Sequence, residues 1–229
     1  MKRTGGILIV FIFVSLFCGC DKIFQKNIKE GFIDFKITYP EIEASNVMAG
    51  ILPHEMKLMF KENKTSGEFT AGMGIFKITL ITYPETKIVY QLMKLMSKKY
   101  AIKIDSSDLK SLYAELPEMT VKLVDETKII AGYKCKKAMV TFKNNIKEEF
   151  SIYYTDEIGL VNSNWCTPFH EISGVLLEYQ VRKYNFEMKF SAINVVKEKI
   201  DDSVFELPSD YELISQEEMD KIFEGFKEI

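Results

Sequence analysis

The chain has 229 residues and a mass of 26.5 kDa, with 47% hydrophobic and 28% charged residues, 12 glycines and 6 prolines. That balance excludes a disordered or collagen-like polymer and is enough for a core without staples. A formal charge of −3 and a pI of about 5.6 exclude a global basic field for nucleic acid, and two histidines leave little material for metal or general-base chemistry.

The first element in chain order is a leader. Lys2 and Arg3 precede Ile7–Phe17, an apolar run broken only by Ser15. At 11 residues it is too short to span a bilayer and has the length of a signal-peptide core. It ends in Leu16-Phe17-Cys18-Gly19-Cys20. A small residue directly before a cysteine resembles the lipobox of bacterial lipoproteins, with residues 1–19 removed and the Cys20 thiolate acylated. An uncleaved anchor or a buried N-terminal helix is the other reading. Residues 20–29 then form a tether reaching at most about 35 Å. The implied location is the cell envelope, facing the periplasm, with the inner or outer membrane left open. The partner implied is the membrane itself through the lipid.

From residue 30 onward strand patterning dominates. Ile33, Phe35, Ile37 and Tyr39 alternate with Asp34, Lys36 and Thr38. Met56, Leu58 and Phe60 form the next face, followed by Phe76, Ile78 and Leu80, then Phe150, Ile152 and Tyr154. Val175, Leu177, Tyr179 and Val181 make another, and Phe186, Met188, Phe190 and Ala192 the last. Turn residues at Asn63 to Gly67, Tyr83-Pro84-Glu85, Asn144-Asn145 and Tyr184-Asn185 separate many of these runs. Such short connections predict an antiparallel meander.

Three segments read as helix. Asn46 to Leu52 is closed by Pro53; Ser106 to Leu116 places Leu109, Leu112, Tyr113 and Leu116 on one side before Pro117. Ser215-Gln216-Glu217-Glu218 is a capping box, followed by a stripe of Met219, Ile222, Phe223 and Phe226. The fold class expected is mainly β: about ten strands in a single strongly curved antiparallel sheet, an open half-barrel covered by short helices, as one domain over residues 30–229. A two-sheet sandwich is the alternative.

Several stretches resemble an uncharacterised family of Gram-negative envelope lipoproteins similar to the Lol-type lipoprotein carriers and receptors. They are Glu126 to Ala138, Tyr153 to Ile158, Ile172 to Tyr179, and Asp202 to Pro208 with Tyr211 beyond. The resemblance covers roughly residues 45–227 and implies an unclosed antiparallel barrel with helices in its mouth. It brings no catalytic residues.

The candidate sites are few. His54-Glu55 and His170-Glu171 lack the second histidine that a zinc helix needs, since Leu58 and Gly174 stand four residues on. No metal or other cofactor is expected. Ser173 follows His170 by three positions, and a Cys166–His170 pair would be a thiol nucleophile if the two met in a pocket. A Cys135–Cys166 disulfide would close a loop of about 30 residues and add roughly 3–4 kcal/mol; two separate thiols, one on a strand and one in a loop, is the other reading. Residues 93–104 (MKLMSKKYAIKI) read as a hairpin with a solvated lysine face, or as a patch for anionic lipid through Lys94, Lys98, Lys99 and Lys103. Trp165 and Phe169 are candidates for a cavity lip, or they pack over the end of the sheet. Met56, Met73, Met93 and Met188 suit an adaptable apolar cavity or plain core. The function expected is a non-enzymatic, membrane-anchored lipoprotein holding an acyl chain, lipid or lipidated partner in its half-barrel. The alternative is an envelope scaffold or interaction protein with a solid core and no ligand.

Overall fold

The computed structural model describes residues 27–43, 50, 52–109, 118–143, 149–183 and 186–227. Twelve strands form one sheet: β1 (Glu30–Thr38), β2 (Glu55–Lys61), β3 (Lys64–Ala71), β4 (Phe76–Tyr83), β5 (Ile88–Leu95), β6 (Lys98–Ile104), β7 (Met119–Ile130), β8 (Tyr133–Phe142), β9 (Glu149–Thr155), β10 (Val175–Lys183), β11 (Phe186–Val196) and β12 (Glu212–Leu213). Their spatial order is β12-β6-β5-β4-β3-β2-β1-β11-β10-β9-β8-β7, and the sheet does not close. Two meanders, β1 to β6 and β7 to β11, meet where β1 pairs with β11. Every pair is antiparallel except β12 against β6, so the sheet is mixed where a purely antiparallel one was expected.

Local chemistry sets the hairpins. Glu62 and Asn63 both take positive φ, 50° and 73°, which is the backbone a two-residue turn with right-handed strand twist demands. The turn expected across Asn63 to Gly67 is therefore only these two residues. Gly67 is a mid-strand residue of β3 paired with Leu58. Ala131 and Gly132, with φ of 48° and 87°, turn β7 into β8 in the same way. Residues 93–104 form the β5–β6 hairpin, turning at Met96.

Register carries one apolar row across half the sheet: Phe35, Met56, Phe69, Ile78, Met93 and Tyr100 are successive cross-strand partners. Near β1 the row thickens into an aromatic cluster. Tyr179 stacks on Phe190 at 4.7 Å, and Phe35 meets both rings edge-on. Val89, Met93, Ile102 and Ile104 of β5 and β6 pack with Met219 of the C-terminal helix, Gln216–Lys227. The opposite face of these strands is also buried, because strand side chains alternate. Ile81, Leu92 and Ala101 lie there under Phe205, with Ile200, Val204, Leu207 and Tyr211 around it. The Tyr83 hydroxyl donates to the Phe205 carbonyl and fixes that segment.

The capping box forms as its sequence predicts. The Ser215 hydroxyl accepts the Glu218 N–H at 3.2 Å, and the Glu218 carboxylate accepts the Ser215 N–H at 2.8 Å. Met219 is fully buried, while the side chains of Phe223 and Phe226 lie outside the description. Ser106–Leu109 begins the second expected helix and buries Leu109; the rest of it, and most of Asn46 to Leu52, fall outside the described residues. Among the described residues no helix is long and apolar enough to cross a membrane.

Candidate functional site

The longest connection described in full, residues 156–174 between β9 and β10, gathers most of the residues singled out in the sequence. Its start is held by the N-terminal segment. Ile28 bridges Ile158, the Asn27 N–H donates to the Glu157 carbonyl at 2.6 Å, and the Gly159 N–H donates to the Ile28 carbonyl at 2.9 Å. Gly159 is needed there, since a Cβ would press on Lys29 and the Asn27 backbone. Asn63, at the β2–β3 turn, accepts the Val161 N–H at 2.9 Å through its side chain.

The loop folds back around Asn164, which is buried. Its Nδ2 donates to the carbonyls of Ile172 and Gly174, each at 2.7 Å, joining the loop's middle to its end. Thr167 Oγ1 donates to the Asn164 carbonyl at 2.9 Å and accepts the Phe169 N–H at 3.1 Å. This polar scaffold is what presents the loop's apolar side chains to the sheet. Sequence reading passed over it; its signal was an Asn among Ser and Thr next to a Trp, a residue type able to bridge two carbonyls.

Phe169 is not a lip. It is buried with Ile172 against Ala138, Val140, Ile152 and Leu176, and meets Phe150 edge-on. Trp165 packs, half-buried, against the β5–β6 cluster, with the Lys87 ammonium 4.9 Å from its ring centroid and its buried indole N–H unpartnered among the described residues.

No disulfide joins Cys135 and Cys166. Cys135 is wholly buried on β8 in the central cluster, whereas Cys166 lies in the loop against β5 and β6. Burial pushes the Cys135 thiol up to about 11 and the Cys166 thiol up to about 12, where the positive charge of Lys87 offsets only part of the effect. A protonated thiol is a poor nucleophile at neutral pH. His170 and Ser173 are exposed on the loop, and His54 is exposed beyond β1, its ring 5.9 Å from that of Tyr39. Among the described residues no group of three His, Cys, Asp or Glu is placed to hold a metal.

Two lysines of the β5–β6 hairpin, Lys94 and Lys99, belong to a cross-strand row. Lys77, Lys94 and Lys99 are neighbours on β4, β5 and β6, with Glu68 paired to Lys77 and Asp210 to Lys99. Met56 and Met93 are buried, and Met188 packs against the central cluster; the Met73 side chain is outside the description. A concavity of about 460 Å³ opens where the loop ends meet the N-terminal segment, lined by Lys29, Asp156, Gly159, Leu160, Ser173 and Gly174. Ile158 and Val161 also line it, so the lining is mixed, with Lys29, Asp156 and Ser173 able to hydrogen-bond a small polar group.

Residues 46–217 match the family model described as N-glycanase peptide, N-terminal domain. The chain belongs to this family. A comparison with curated proteins finds no match. Membership of the N-glycanase N-terminal domain family overturns the assignment to envelope lipoproteins of Lol type and the Lol-like description, and gives no support to the lipoprotein, signal-peptide and palmitate ones. The stretches that suggested them, from Glu126 to Tyr211, lie within the matched residues and belong to the family found. Cys20, the expected acylation site, lies outside both the match and the described residues.

Proposed function

We propose that this chain is a non-enzymatic interaction module with a solid core, acting as an accessory part in the release or handling of N-glycans. The family supports the setting, since its description is of an N-glycanase N-terminal domain. The observation that carries the module reading is the filling of the apolar face. Where an acyl chain would lie, the rings of Phe35, Tyr179, Phe190 and Phe69 pack on one another, and Met93, Phe169 and Met219 are buried to 3% exposure or less.

The reading includes a shape: the sheet curls into an open half-barrel plugged by the β9–β10 loop and the C-terminal helix. Six strands stand between β5 and β9 in the sheet order, a separation of about 34 Å if the sheet were flat. Trp165 and Cys166 from the β9–β10 loop nevertheless pack with β5 and β6, as does Met219. Curling is the economical way to bring these together.

Two measurements on the purified full chain test the proposal. Incubation with an N-glycopeptide is expected to leave the glycan attached, and solvent extraction with mass spectrometry is expected to recover no stoichiometric lipid. Glycan release would refute the non-enzymatic role. A stoichiometric acyl lipid would refute the solid core and restore the apolar-ligand reading.

A further inference from the structure

The two ends of the sheet carry opposite charge. At one end the β7–β8 hairpin, residues 118–143, holds six lysines against three acidic residues. At the other end β12 lies within residues 206–220, which hold six acidic residues and no lysine or arginine. Most of these charges already have partners in the same chain. Lys128, Lys136, Lys137 and Lys143 pair with Glu178, Asp156, Glu126 and Glu118. Asp210 and Glu217 pair with Lys99 and Lys221. Among the described residues, the exposed charges left without an ion pair include Lys122 and Lys134 at the basic end and Glu206 and Glu212 at the acidic end.

Exposed apolar side chains accompany these charges. Leu123 and Ile129 on β7 are 65% and 66% exposed, and Leu213 on β12 is 60% exposed. A shallow concavity of about 440 Å³ runs beside β7, floored by Leu123, Val124 and Met139 and rimmed by Lys122, although Asp125 and Glu149 also line it. The outer edge of β7 has no strand partner among the described residues, and edges of this kind associate unless they are blunted. Here a bulge between Val124 and Thr127 interrupts the edge, so backbone pairing would be short and side chains would set the fit.

We propose that copies of this chain associate head to tail, the basic β7 end of one against the acidic β12 end of the next, with Leu213 seated beside Leu123. Such a contact joins two different surfaces, so it extends into open chains rather than closing on a dimer unless its rotation makes a ring. It deepens the interaction-module reading by naming a partner, and it is tested apart from the glycan and lipid assays above.

The test is sedimentation of the full chain in a neutral detergent. In about 20 mM salt the mean mass should rise with concentration above the 26.5 kDa monomer, and in about 0.5 M salt, where screening acts within a few ångströms, it should fall back. Two neutralising variants that break no intrachain ion pair separate the ends: Lys122→Gln/Lys134→Gln and Glu206→Gln/Glu212→Gln. Each alone should remain monomeric. Mixed, they should form a one-to-one complex and go no further, because each retains one intact end. The variant carrying all four changes reports any association through the N-terminal segment, which it keeps. A monomeric wild type at low salt overturns the proposal, as does self-association of either paired variant beyond that background, or failure of the mixture to pair.

Discussion

Asn164 is the most economical place to test how the β9–β10 loop is held. Replacing it by alanine removes two hydrogen bonds of 2.7 Å and leaves the Ile172 and Gly174 carbonyls without that donor, at a site where the side chain is only 4% exposed. Each lost bond removes roughly 1 kcal/mol, and an acceptor left dry adds a desolvation cost, so Asn164→Ala should destabilise by about 2–4 kcal/mol. For a chain of this length that lowers Tm by about 6–12 °C near the middle of the range. Asn164→Asp has the same shape but, when ionised, donates no hydrogen bond and sets a carboxylate against two carbonyls. It should cost at least as much at neutral pH. Urea unfolding with an unchanged m value measures the loss, and amide hydrogen exchange locates it. The amides that Asn164 orders, chiefly Phe169 and Ile172, should exchange faster, while those of β1 and β2 should not. A cost under about 1 kcal/mol, with exchange in the loop unaltered, would mean that the loop is held by Phe169 and Ile172 packing alone, and the polar-scaffold argument would fail.

Three further outcomes follow. Gly31→Ala drives a Cβ into the Val196 carbonyl oxygen across the β1–β11 junction, so it should cost at least about 3 kcal/mol or abolish folding; a mild variant would mean that the two meanders can shift apart. Met219→Ala opens a hole under the C-terminal helix and should cost about 2–5 kcal/mol, read by urea unfolding, and near-zero cost would show that the helix does not anchor on β5 and β6. Stability should also fall in alkali. The unfolded chain releases both thiol protons above pH 9.0, whereas the folded chain keeps them to about 11 and about 12, so the unfolding free energy drops by up to about 2.7 kcal/mol per pH unit between 9 and 11. Cys135→Ala/Cys166→Ala should remove that part of the slope, leaving whatever the buried tyrosines Tyr39 and Tyr179 contribute; an identical slope in both proteins would refute the assignment.

Strands with one wet face and one dry face were legible because the alternation is physical. Ile33, Phe35 and Ile37 are buried and Lys36 and Thr38 exposed, as period two requires. The terminal helix was legible for a similar reason, since Ser215 and Glu218 satisfy each other's backbone locally. β3 was missed because KTSGEFTA has little apolar content, and its order comes from the ladder on both sides and from the buried Thr65–Thr82 hydroxyl pair. β7 was missed because an edge strand can be charged along its length. β12 is two residues held by β6 and has no pattern to read.

The loop shows why the site was harder. Phe169 and Trp165 have the same local setting in the sequence, yet one is buried among β8, β9 and β10 residues and the other reaches β5 and β6. Nothing local to either residue decides this; the two carbonyls joined by Asn164 and the tie from Asn63 to Val161 do, and both are tertiary. The same limit misdirected the family assignment. Short motifs of alternating strands and glycine turns are what an open β-sheet needs, whatever its ancestry, so their order favoured the wrong relatives while reporting the mainly-β class correctly. What distinguishes this chain is therefore to be sought in features that patterning does not demand. Those are the unlike charges at the two sheet ends and a loop that fills the apolar face with its own aromatic side chains.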